Sequence, residues 1–131
     1  MGESKREQAF LALFEVSFHD GDIGYIAENE KDEKTISAAA LREAGEVCER
    51  LEEIDSLLQA SLKAWDIKRI SRVALAAMRL AAFEMVYDDS IPAGAAVNEA
   101  VELCKKYSSD EEADFVNGVL RAVSAGRGTD N

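Results

Sequence analysis

One histidine, one proline and two cysteines in 131 residues leave little room for catalysis or metal chemistry. His19 falls in a predicted loop with no second imidazole to share a metal, and neither cysteine has a nearby basic partner to activate it. Cys48 and Cys104 sit apart in helix-patterned segments, where burial as small hydrophobes accounts for them better than a bridge, and both fit a reducing compartment. No glycine-rich phosphate loop follows a strand, because nothing alternates with period two for long enough to make one. Catalytic residues, a metal and a cofactor are therefore not expected. Long apolar runs are also missing. The stretch Val73 to Met78 is broken by charge long before ~18 residues, and no charged-then-apolar leader opens the chain. Neither a membrane span nor a secretory signal is expected, and the expected compartment is the cytoplasm. Internal repeats and low-complexity segments are absent.

Positive charge is scarce as well. Lysine and arginine number 15 against 26 aspartates and glutamates, a formal net charge of -11. Such a molecule repels phosphate backbones as a whole and attracts basic partners, so DNA is not an expected partner and any RNA contact must be local. The length suits one domain able to hide roughly two thirds of its extended-chain surface without staples.

What the chain does have is helical period almost throughout. Ser4 and Glu7 form a capping-box pattern that opens a first helix, followed by Phe10, Leu13, Phe14 and Ser17 on one buried stripe. His19 to Asp22 ends it. Ile23 to Glu30 is expected as a short second helix, and Glu28 to Lys34 as a solvated connector. From Ser37 to about Lys63 one long helix is expected, its buried track running through Leu41, Ala44, Cys48, Leu51, Asp55, Leu58 and Leu62. Its Glu43, Glu46, Glu49, Glu52 and Glu53 read as a solvated face. Trp65-Asp66-Ile67 breaks the pattern. Ser71 to about Tyr87 is apolar on more than one face, as a central helix would be. After the turn Asp88 to Pro92, with proline suited to a helix's first turn, Val97, Ala100, Val101 and Cys104 line one face. A second capping box, Ser109 with Glu112, opens a last helix that buries Phe115, Val119 and Val123. Gly118 reads as a site of close helix approach, and the tail from Gly126 to Asn131 as frayed.

The span Trp65 to Val123 carries an ordered set of motifs: Arg79-Leu80-Ala81-Ala82-Phe83-Glu84, Ile91-Pro92, Val97-Asn98-Glu99-Ala100-Val101-Glu102-Leu103, Lys105, and Phe115-Val116-Asn117-Gly118-Val119-Leu120. With Arg6-Glu7-Gln8-Ala9 and Ala12-Leu13-Phe14 at the start, it resembles the NusB family of bacterial transcription antitermination factors. The resemblance implies an all-α, single compact domain of about six to seven helices in two packed subbundles, divided near 4–63 and 65–125. It implies a non-catalytic protein that pairs with NusE, a small-subunit ribosomal protein. The pair grips the boxA element of nascent ribosomal RNA within an RNA polymerase antitermination complex.

By that resemblance RNA contacts begin in the N-terminal segment and first helix. Only Lys5 and Arg6 stand there, flanked by Glu3 and Glu7, so the local field is nearly neutral; the ordinary reading is a solubilised helix start. A denser basic cluster, Lys63, Lys68, Arg69, Arg72 and Arg79, lies elsewhere. Lys68 and Arg72 share a face if the helix begins that early. They serve either as partners for carboxylates of the preceding helix or, if they lie beside Lys5 and Arg6, as a rebuilt positive surface. The start of the last helix near Phe115 belongs to the family's RNA surface, yet Asp110, Glu111, Glu112 and Asp114 crowd it; helix-dipole capping explains them. Asn98, Glu99 and Asn117 read first as groups satisfying helix junctions, and Asn117 also as an RNA contact through its outward edge. Phe14 and Glu84 fall on family positions at the NusE interface. On pattern alone Phe14 reads as core, and Glu84 as an ion-pair partner of Arg79 or a surface charge. Reversing Glu84 to lysine is expected to weaken partner binding at unchanged melting temperature. The rivals are an acidic helical module that binds only proteins, and a detached copy of the similar domain in certain ribosomal RNA methyltransferases, which a missing catalytic segment disfavours.

Overall fold

The structure, a computed structural model, describes residues 4–19, 23–24, 36–62 and 66–126. Among these it is all helix: α1 (Lys5–Val16), α2 (Ala38–Glu49), α3 (Leu51–Ser61), a single 3₁₀ turn (Ile67–Arg69), α4 (Arg72–Tyr87), α5 (Ala93–Tyr107) and α6 (Asp110–Gly126). The expected helix from Ile23, apart from its first two residues, the connector from Glu28 and the tail beyond Gly126 lie outside the described residues.

Among the described residues, serine hydroxyls start four of six α-helices. Ser4 accepts from the Glu7 amide at 3.1 Å, Ser37 from Ala40 at 3.1 Å, Ser71 from Ala74 at 3.1 Å and Ser109 from Glu112 at 3.0 Å. Each cap satisfies an orphan amide and is worth ~1 kcal/mol. Both expected capping boxes form only in part. The Glu112 carboxylate accepts from the Ser108 hydroxyl, and the Glu7 carboxylate turns away to Lys106 and Tyr107 on α5. Pro92 stands one residue before α5, at its N-cap.

The central helix is α4, which packs against each of the five other described α-helices. Its buried side chains, Ala74, Ala76, Ala77, Met78, Leu80, Ala81, Ala82, Phe83 and Glu84, go round the helix, and the alanines let neighbours approach. On one side α1 packs against α2 and α4; on the other α5 and α6 pack on each other and on α4.

The single long helix expected from Ser37 is instead two. Arg50 leaves helical geometry at φ −119°, ψ 21°, and its amide donates three residues back, to the Val47 carbonyl, at 3.0 Å. At the break the Arg50 guanidinium lies 4.6 Å from the centre of the Tyr87 ring on α4, a cation–π contact. The break lets Ala40, Ala44 and Val47 face α1 while Ile54 and Leu58 face α4 and α6. Of the expected track, Ala44, Leu58 and Leu62 are buried, and Leu41, Cys48, Leu51 and Asp55 are half-buried. Glu46, Glu49, Glu52 and Glu53 are exposed as expected, whereas Glu43 is buried.

Other expectations are corrected. Phe14, Ser17 and Phe115 are half-buried rather than core. Gly118 is exposed, and a Cβ there would meet nothing within 4 Å, so no close approach requires it. Among the described residues no helix is long and apolar enough to cross a membrane.

Candidate nucleic-acid and partner interface

At the start of α1 the two N-terminal cations are already engaged. Arg6 Nε donates to Glu84 Oε2 at 2.9 Å, and its Nη1 lies 3.7 Å from Glu99 Oε1. Lys5 Nζ lies 3.5 Å from Glu43 Oε1, a buried oxygen with no hydrogen bond. Glu84, at 1 % exposure, is enclosed by the fold. Burial raises its pKa, against the pull of Arg6 and with help from the charges of Glu43 and Asp88. Burial alone would lower the Arg6 pKa, but its hydrogen bond and attraction to Glu84, with Glu99 and Glu43 adding, raise it. The pairing expected between Glu84 and Arg79 is not made. Arg79 instead forms a two-pronged bridge to Asp55 on α3, at 2.9 and 2.8 Å, because that carboxylate lies where the guanidinium fork reaches both oxygens. An acid enclosed like Glu84 cannot be reversed without cost to the fold, so the expectation of an unchanged melting temperature is corrected.

One residue further on, Glu7 ties α1 to the end of α5. Its carboxylate accepts from Lys106 Nζ at 2.6 Å and from the Tyr107 hydroxyl. Those two hydrogen bonds hold its pKa below the usual carboxylate value.

The second basic group stands at the other end of α1. Lys68 and Arg69 are exposed on the 3₁₀ turn, and Arg72 is the first residue of α4. Lys68 and Arg72 therefore share no helical face, because Ile70 is extended between them at φ −79°, ψ 141°. Arg72 Nη1 donates to the Ser17 carbonyl, and its guanidinium stacks 4.4 Å from the centre of the Phe18 ring. Phe18 is 55 % exposed and meets Phe14 edge-on at 5.2 Å. Beside this, Phe115 lines an open cleft with Arg69, Ile70 and Ser71, together with Ser109, Glu111 and Glu112 of the α6 start. With 12 residues in α1 at ~1.5 Å rise each, about 18 Å of helix separates Arg72 from Lys5 and Arg6. The structure thus gives two small basic groups rather than one rebuilt surface. Lys63 lies outside the described residues.

Asn117 is half-buried and accepts from Arg121 Nε on its own helix at 3.0 Å. This is a surface pair one turn apart, not the helix-junction contact expected, and Asn98 and Glu99 are exposed on α5. Neither cysteine is in a disulfide, and burial pushes the Cys104 thiol up to about 12. No group of three His, Cys, Asp or Glu among the described residues can hold a metal ion.

The profile of the NusB family matches residues 3–125. The chain belongs to the NusB family. A curated NusB relative, the transcription antitermination protein NusB of Agathobacter rectalis, is 39 % identical over 121 residues, covering 88 % of this chain and 92 % of its own. Among solved structures, T. maritima NusB superposes with a TM-score of 0.77 at 32 % identity, over 95 % of this chain and 93 % of its own. A crystal structure of antitermination factors NusB and NusE in complex with dsRNA contains a chain that superposes with a TM-score of 0.80 at 30 % identity, over 93 % and 94 %.

Within this NusB-family fold, sequence reasoning passed over three residues of the site. Phe18 lies four positions after Phe14, a spacing that places both rings on one side of the α1 end. Arg69 was visible only as one of a cluster. Glu43 was hidden in a run of glutamates, and only the packing of α2 on α1 singles it out.

Proposed function

We propose that this protein is a transcription antitermination factor that binds boxA-type single-stranded RNA together with NusE, as part of an RNA polymerase antitermination complex. The observation that carries the reading is the likeness, over 93 % of this chain, to a chain in the structure of NusB and NusE in complex with dsRNA. The charge balance supports it. A surface at net -11 steers a basic ribosomal protein to it and leaves RNA to local cations.

In this reading Arg6, Lys5, Lys68 and Arg72 hold phosphates, while Phe115 and the outward edge of Asn117 meet bases. Half-exposed aromatic faces beside arginines are the usual means of seizing unstacked bases. Phe14 serves the partner surface together with its edge-on neighbour Phe18. Glu84, being enclosed, acts through Arg6, whose plane it fixes, rather than by direct contact with the partner. Few phosphate contacts mean weak binding and a shallow salt dependence for the protein alone. The reading assigns no catalytic step and a cytoplasmic site of action, where nascent transcripts are made. It divides the domain into an N-terminal subbundle near 4–63 and a C-terminal one near 65–125, with α4 at the seam.

Anisotropy titration of boxA RNA with this protein, with NusE, and with both tests the reading. The expected result is weak binding by either alone and much tighter binding by the pair. Failure of a ternary complex to form overturns it, and a stable pair with NusE that ignores RNA would leave a protein-binding module.

A further inference from the structure

The surroundings of Arg6 differ on its two sides. Its Nε edge faces inward to Glu84, which is enclosed and fixes the plane of the guanidinium. Its Nη1 faces Glu99, whose side chain is 53 % exposed and whose 3.7 Å separation exceeds a hydrogen bond. The hollow beside it, between the start of α1 and α5, holds Arg6 and Lys106 with Glu7, Glu99 and Glu102. Glu7 is committed to Lys106 at 2.6 Å and Glu102 is drawn to Lys105 at 3.7 Å. Glu99 is the carboxylate that attends Arg6 from the solvent side.

We propose that Glu99 is a built-in competitor for RNA. It covers the outward edge of Arg6 that a phosphate would take, so binding must displace it, while Glu84 is the positioning residue that keeps that edge presented. The inference rests on the RNA-binding reading above and adds a reason, internal to the chain, for weak binding alone. A guanidinium takes phosphate best as a fork through two parallel N–H groups. A loosely held carboxylate on one of them raises the cost of each encounter without closing the site. Displacing an acid also reduces net counterion release, because the freed carboxylate gathers a cation of its own.

The test is a salt series of boxA RNA binding, with NusE present, for wild type, Glu99→Gln, Glu102→Gln, Arg6→Ala and the Arg6→Ala/Glu99→Gln double variant. For Glu99→Gln the expected gain in affinity is about two- to fivefold at low salt, the scale of an exposed ion pair. The slope of log affinity against log salt should steepen by up to ~0.7, the value of one single-strand phosphate. Glu102→Gln should give less than half that gain, and the gain should vanish in the Arg6→Ala background. A Glu99→Gln melt matching wild type separates competition from a change in fold, and the two variants that lack Arg6 are compared with each other, since both leave Glu84 without its partner. Equal affinity and slope for Glu99→Gln and wild type, or a gain that survives loss of Arg6, overturns the competitor. If wild type binds no RNA with NusE present, the antitermination reading falls first and takes this inference with it.

Discussion

Replacing Glu84 by lysine sets an ammonium against the Arg6 guanidinium in a place that is 1 % exposed. Removing one partner from a buried ion pair costs ~3–5 kcal/mol, since the other charge is left without compensation. Arg6 keeps a quarter of its side chain in contact with solvent and can swing outward, which places the expected loss at the lower end, ~3 kcal/mol. For 131 residues, at ~2.1 cal/mol/K of unfolding entropy each, the entropy is ~0.28 kcal/mol/K and the loss corresponds to about 11 °C. Glu84→Gln retains the size and one acceptor oxygen. It should lose ~1–2 kcal/mol, or about 4–7 °C. Calorimetric or circular-dichroism melts at neutral pH measure both. The two variants also differ from wild type in pH dependence. A carboxyl whose pKa is raised in the folded state takes up a proton there that it has already lost in the unfolded chain. Its contribution is therefore fully present below the unfolded value of 4.5 and declines as pH rises toward the raised folded value. That decline should be missing from Glu84→Gln. A Glu84→Lys protein melting within about 2 °C of wild type would refute the enclosure of this acid and return it to the surface.

Three other outcomes follow from the geometry. Glu7 titrates below 4.5 in the folded state, so its stabilising effect is complete above that pH and disappears as pH falls through the lowered value; the gap in stability between wild type and Glu7→Gln should hold from pH 7 to about pH 4.5 and narrow as the medium is made more acid, and a constant gap would mean the carboxylate does not hold Lys106 and Tyr107. Lys68 is exposed and capped only through its backbone amide, so Lys68→Glu should leave the melt unchanged and lower affinity of the NusE pair for boxA RNA several-fold; unchanged affinity would remove the 3₁₀ turn from the RNA surface. Cys104, fully buried with its thiol pushed up to about 12, should resist alkylation at pH 8 until the protein is unfolded, and mass spectrometry after native iodoacetamide treatment should find it unmodified.

How much of this was legible in the sequence depends on how far apart the interacting residues lie. The caps at Ser4 and Ser109 and most of the apolar stripes of α1, α4 and α5 were readable because each involves residues within about a turn of one another. The all-helical class follows from the same local pattern, and the motifs from Arg79 to Leu120 supplied the family. The break at Arg50 was not readable, because no glycine or proline marks it and the ring that Arg50 meets, Tyr87, is placed there by α4. The burial of Glu43 and Glu84 was equally hidden: a glutamate is expected outside until a cation from another helix is brought to it. Gly118 illustrates the opposite error, since glycine in a helix suggests crowding but here faces open solvent. For the site, the cations themselves were visible, whereas their occupation by Glu84, Glu99 and Ser17 required the fold.

The attachments of residues 6 and 7 lie at residues 84, 106 and 107, separations of 78, 99 and 100 positions along the chain. A 12-residue helix with one serine cap is marginal on its own in water. α1 therefore takes its final form only against distant partners: α2 and α4 cover its apolar face, and the end of α5 holds Glu7. Anchors so far apart in sequence make the first turn of α1 a seam between distant parts of the chain, and loosening either side of it should expose that turn to proteolysis before the rest of the domain opens.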